Sequence, residues 1–88
     1  FDNIGVETAK RFTEEGLRAA LGQLSDEEEY GAILRAKGIV PLTDGTWGFF
    51  DLVPGEYEIR DGAADYTGRL CVIGCKINQD AIKALFGI

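Results

Sequence analysis

An α+β fold is predicted for this chain of 88 residues: a mostly antiparallel sheet of four to five strands with two helices on one face. Three observations predict it. Apolar residues recur at three-four spacing in two stretches, after Thr13 and after Asn78, as helices require. Between them, runs of strand-like composition are separated by Asp-Gly and Pro-Gly pairs, which signal tight turns because glycine accepts positive φ and proline presets the first corner. The run from Gly31 to Leu42 also sets Arg35 and Lys37 two residues apart inside an otherwise apolar strand. Strand side chains alternate faces, so the sheet needs one covered face and one wet or charge-paired face.

Taken in order, Ile4 to Phe12 reads as a first strand of low hydrophobic contrast. Thr13 then fits an N-cap, with Phe12 before it and Leu17 at the fourth helical position as a hydrophobic staple. Leu17, Ala20, Leu21 and Leu24 supply the helix stripe. Asp26 to Glu29 are four consecutive acids with no turn glycine at ligand spacing, unlike a calcium loop, and read as a solvated linker. The strand Ala32 to Leu42 is expected to bury Leu34, Ala36, Gly38, Val40 and Leu42, leaving Ile33, Arg35, Lys37 and Ile39 on the other face. Pro41 cannot donate to a ladder, so the late part of this strand should be an edge or a bulge.

Trp47 to Val53 and Glu56 to Asp61 form a hairpin across Pro54-Gly55. Arg69 to Ile77 is the last strand, and Asn78 caps a second helix stapled by Ile77 and Ile82 and completed by Leu85 and Phe86. Residues 11–22 and 76–87 match in residue class nearly throughout, so two strand-to-helix units are built alike. Glu14, Glu15 and Asp80 sit in first turns, where the helix dipole favours them. The resulting order, β-α-β-β-β-β-α, is close to a ferredoxin-like arrangement with an extended hairpin inserted.

Composition removes several function classes. Nine basic against fifteen acidic residues give a net charge of -6, which opposes approach to a nucleic acid. No apolar run approaches the roughly 18 residues of a membrane span. There is no histidine, which rules out a histidine-based triad and the usual imidazole metal ligand. There is no Gly-x-x-x-x-Gly-Lys-Ser/Thr loop to cradle nucleotide phosphates. Cys71 and Cys75 fall on one strand, where residues four apart stand about 13 Å apart, too far to crosslink or to share one ion unless Gly74 makes a sharp bulge. Two reduced thiols suit the cytoplasm, and Cys71 is expected to fill the core. No signal-peptide features open the chain, and the absence of any methionine leads us to expect a piece of a longer protein, residues 1–88 forming a single domain.

The stretch Leu34-Arg35-Ala36-Lys37-Gly38, a hairpin-rich middle, and then Arg69-Leu70-Cys71-Val72-Ile73-Gly74 leading into a short helix resemble the C-terminal domain of the CobW family. The resemblance runs from about Phe1 to the end and is strongest over Gly31 to Leu42 and Arg69 to Ile77. That family comprises P-loop GTPases of the metallochaperone class, associated with metal insertion, metal homeostasis and cobalamin synthesis. The resemblance implies a non-catalytic C-terminal interaction or regulatory domain. It places GTP, magnesium and a transition metal in the full-length protein, with no cofactor in this chain. It implies as partners the protein's own N-terminal GTPase domain and a client metalloprotein.

No catalytic, cofactor-binding or metal-ligating residue is predicted here. Arg35 and Lys37 are the candidate contact residues, since two cations fixed on one strand suit a carboxylate, a phosphate or an acidic protein surface. The competing expectation is that they pair within the sheet, with the charges of Glu56, Glu58 and Arg60 on the neighbouring hairpin. Phe49 and Phe50 are adjacent and must point to opposite faces, so the uncovered ring marks a contact surface. Two readings follow, a docking domain of a larger GTPase and a free-standing ferredoxin-like module that binds a small anionic ligand or protein partner.

Overall fold

The alternating strands assemble into one five-stranded sheet in the computed structural model, which describes residues 1–88. In chain order the elements are β1 (Asp2–Thr8), α1 (Glu14–Gln23), α2 (Glu27–Tyr30), β2 (Ala32–Pro41), β3 (Trp47–Val53), β4 (Glu56–Gly62), β5 (Gly68–Cys75) and α3 (Gln79–Phe86). Across the sheet the order is β1-β5-β2-β3-β4, and every neighbouring pair is antiparallel. β1 and β2 therefore run the same way with β5 between them, the split β-α-β arrangement expected of a ferredoxin-like relative.

Caps define the helices. The Gly16 amide donates to Thr13 Oγ1 at 2.9 Å and the Ala81 amide to Asn78 Oδ1 at 3.1 Å, satisfying donors that each first turn leaves open. Helix α3 ends at Gly87, whose φ of +73° suits glycine, and the Lys10 ammonium donates to the carbonyl of Phe86 at 2.8 Å. That contact ties the loop after β1 to the far end of the chain.

The covered face holds a single cluster of 17 buried hydrophobic residues. Leu17, Leu21, Leu24, Ile82 and Phe86 from the helices meet Ala36, Val40, Phe50, Leu70 and Val72 from the sheet. Phe50 and Phe86 stack with ring centroids 6.2 Å apart. No charged residue is buried, and Tyr30 is the one buried side chain that carries a hydroxyl.

Four expectations are corrected. β1 stops at Thr8, and Phe12 instead makes one isolated parallel bridge to Leu42 while its ring enters the core. The acidic stretch is not a plain linker: Asp26 caps the short helix α2, whose acids occupy its first turn, and Tyr30 is buried at its end. The helix count is thus three rather than two. Third, Leu34 does not face the helices, because the β2–β5 register shifts between Ile33 and Arg35. The bulge buries Ile33 and leaves Leu34 39% exposed, after which Ala36 and Val40 resume the expected alternation. Fourth, Cys71 is not core: Leu70 and Val72 take the covered face, and Cys71 lies half-buried on the other. Pro41 closes β2 beyond its last pair with β5, Ile39 opposite Arg69, so its missing N–H interrupts no ladder.

Candidate functional site

The face away from the helices is where side chains with chemistry collect. In one row across the strands Gly5, Cys71, Lys37, Asp51 and Glu58 stand side by side, and in the next Glu7, Arg69, Ile39, Phe49 and Arg60. Arg35 and Lys37 both lie on this face, brought there by the regular alternation that buries Ala36 between them.

Asp51 decides how these cations behave. Arg35 donates to it twice, from Nε at 3.2 Å and from a terminal nitrogen at 2.8 Å, in the forked geometry that guanidinium and carboxylate share. The hydrogen bond from Arg35 is the main reason the Asp51 carboxyl sits below the usual carboxylate range, with the charges of Arg35, Lys37 and Arg60 adding to it. The same pair holds the Arg35 guanidinium still more firmly protonated. Lys37 stands directly opposite Asp51 in the ladder, yet the carboxylate is already committed to its diagonal neighbour. The ion pairs of the molecule are Arg18–Glu14, Arg35–Asp51, Arg60–Glu58 and Arg69–Asp65, and Lys37 belongs to none of them. Pairing within the sheet therefore accounts for Arg35 and leaves Lys37 without a partner. The partner is Asp51 on β3 rather than Glu56 or Glu58 on β4, and Glu58 instead meets Arg60 of its own strand at 3.4 Å.

An open depression of about 520 Å³ lies at the centre of this face. Arg35, Lys37, Arg69, Ile39, Phe49 and Cys71 line it, and Glu7 is the one acid that does. Phe49 is the uncovered member of the Phe49-Phe50 pair, partly roofed by the Arg60 guanidinium 5.0 Å from its ring centroid. Arg69 lies 5.3 Å from the ring centroid of Tyr66. Neither Asp51 nor Arg69 stands out in the sequence. The available signal was alternation, which puts both on the face of Phe49 once Phe50 and Leu70 are assigned to the core.

The arrangement offers cationic and aromatic contact. No group of three or more histidine, cysteine, aspartate or glutamate side chains is placed to hold a metal ion. Asp51 and Glu58 are committed to arginines while Glu7 is unpaired, and a depression this open favours contact with another surface over enclosure of a small molecule. No helix is long and apolar enough to cross a membrane.

Comparison with known proteins follows the same line. No curated protein matches the chain. Among solved structures, the Zn(II)-bound YjiA GTPase from E. coli is similar, with 22% identity and a TM-score of 0.77 over 97% of this chain. A Zn(II)-bound triple mutant of YjiA GTPase gives 20% identity and a TM-score of 0.81, again over 97%. The chain spans 28% of the length of either protein, and at such identities the likeness is one of fold. The family described as "Cobalamin synthesis protein cobW C-terminal domain" matches residues 1–87, nearly the whole molecule. By that match, and with a fold shared with those solved proteins, the chain belongs to the cobW C-terminal domain family.

Proposed function

We propose that this chain is the non-catalytic C-terminal domain of a CobW-like GTPase, serving metal insertion or metal homeostasis in the cytoplasm, and that its open sheet face docks on the GTPase domain or on a client protein. The observation that carries the reading is the pairing on that face: Arg35 is neutralised by Asp51, Lys37 is left free, and both border an exposed aromatic-lined depression. GTP, its magnesium and the transition metal belong to the rest of the protein on this reading. The domain's task is then to relay nucleotide state through contact.

Lys37 is the one cation lining the depression that belongs to no ion pair, and it supports an acidic contact, with a small anionic ligand as the second reading. Calorimetry with the GTPase domain of the same protein separates the two. Docking predicts saturable binding that weakens in the double variant Arg35→Ser with Lys37→Ser. A chain that ignores the GTPase domain but binds a small dicarboxylate or phosphate ester would favour the second reading.

A further inference from the structure

A second surface, separate from the depression lined by Lys37, lies at the edge of the covered face. Of the five large hydrophobic side chains that remain exposed, three meet along one groove: Leu34 at 39%, Val53 at 37% and Tyr57 at 38% exposure. The groove has a volume of about 350 Å³ and runs between the end of α1 and the Pro54-Gly55 turn, with the buried side chains of Leu21, Ile33 and Leu52 also contributing to its wall. Leu34 reaches it only because of the bulge in β2; regular pairing would have turned this side chain into the core. Bulges re-aim side chains at functional sites, and an aliphatic group held out of a well-formed core is the kind of exposure that binding relieves.

Charge identifies what the groove is built to take. Its only charged lining residues are Glu27, at the start of α2, and Glu56, at the start of β4. An adjoining hollow shares Val53, Glu56 and Tyr57 and adds Asp51 and Glu58. No lysine or arginine lines either one. Glu27 and Glu56 form no ion pair within the molecule, so their charges are available to a partner. We infer that this groove docks a peptide segment of a partner protein in which an aliphatic anchor is flanked by lysine or arginine. The anchor would be drawn from water onto Leu34, Val53 and Tyr57 while cations on either side meet Glu27 and Glu56. A second copy of this chain is the poorer occupant, because two molecules of charge -6 repel.

The test is a titration of the isotope-labelled chain, followed by amide NMR shifts, with the acetylated peptide Lys-Lys-Leu-Leu-Lys-Lys and with its counterpart carrying Glu for every Lys. The basic peptide should produce saturable shifts around Ser25 to Glu27, Leu34 and Val53 to Tyr57, weakening as salt is added. The acidic peptide should produce none. Leu34→Ser should reduce the affinity with the amide dispersion of the fold intact; if that variant loses its fold, Tyr57→Ser on the edge strand provides the same comparison. Glu27→Gln with Glu56→Gln should flatten the salt dependence. Equal binding of both peptides, shifts centred on Lys37 and Arg69, no saturable shift at millimolar peptide, or dimerisation of the chain through the groove would each overturn the proposal.

Discussion

Alanine in place of Gly38 adds a methyl group where the fold has no room for one. A Cβ at this position would stand 2.5 Å from the carbonyl oxygen of Arg69 and 2.7 and 2.8 Å from two ring carbons of Phe50. Neither neighbour can retreat easily. The Arg69 carbonyl belongs to the central β2–β5 ladder, and the Phe50 ring is fully buried and stacked on Phe86, itself 1% exposed. Overpacking of this kind costs about 1–3 kcal/mol. A domain of 88 residues has roughly 4–13 kcal/mol of stability in all, so the loss is a substantial fraction. At about 4–8 °C per kcal/mol, the melting temperature should fall by roughly 5 to 20 °C. Gly5→Ala is the internal control: it lies in the same sheet, on the exposed face of β1, with nothing within 4 Å of its added Cβ. Relieving the backbone freedom of that glycine should raise stability by about 0.5 kcal/mol. Thermal unfolding of both variants by circular dichroism, with urea slopes unchanged, decides the matter. A Gly38→Ala protein that melts with the wild type would refute the packing described for β2, β5 and Phe50.

Thr13→Ala and Asn78→Ala each remove a side-chain cap and should each cost about 1 kcal/mol in urea denaturation; an unchanged midpoint would mean the first turns are satisfied some other way. Acid should unfold the domain partly through Asp51 and Asp44, the latter held low by hydrogen bonds from the Thr46 hydroxyl and amide. With folded-state values below the ordinary one near pH 4, their stabilisation is complete above that value and disappears as pH falls through the lower one. The urea midpoint should therefore drop further between neutral pH and about pH 2 in the wild type than in Asp51→Asn, and equal drops would contradict the Arg35–Asp51 account. Calorimetry of this chain with GTP and magnesium should show no saturable binding, and micromolar binding near one-to-one would remove the non-catalytic assignment. Competition against a chromophoric zinc chelator should likewise reveal no tight site, and one that vanished in Cys71→Ser would show that the thiols can converge.

Local rules carried most of the fold. Thr13 and Asn78 are legible as caps because the chemistry of an N-cap is contained within four residues. The Pro54-Gly55 turn is legible because its glycine takes φ of +88°, a conformation that L side chains seldom adopt. Arg35 and Lys37 reach the open face because alternation in β2 is regular beyond Arg35. The bulge at Leu34 was not legible, since it depends on how Ile33 and Arg35 register against Gly74 and Ile73, some forty residues away in sequence. Helix α2 escaped notice because four residues are too few to display a period. Cys71 was misplaced by weighing residue type over position: cysteine is often buried, but Leu70 and Val72 already claim the covered face. Asp51 took Arg35 from the expected partners on β4 because it sits on the adjacent strand, directly opposite Lys37 and diagonal to Arg35.

Cys71 provides the most direct measurement of the docking claim, because its half-buried thiol lines the depression between Lys37 and Arg69. A Cys75→Ser background leaves it as the sole thiol of the chain. Its rate of alkylation by iodoacetamide can then be followed alone and with the GTPase domain of the same protein. Docking through the open face predicts that alkylation slows several-fold as the GTPase domain is added, and that Arg35→Ser with Lys37→Ser abolishes the protection while the chain stays folded. An alkylation rate indifferent to a GTPase domain that demonstrably binds would place the contact elsewhere on the molecule and contradict the account.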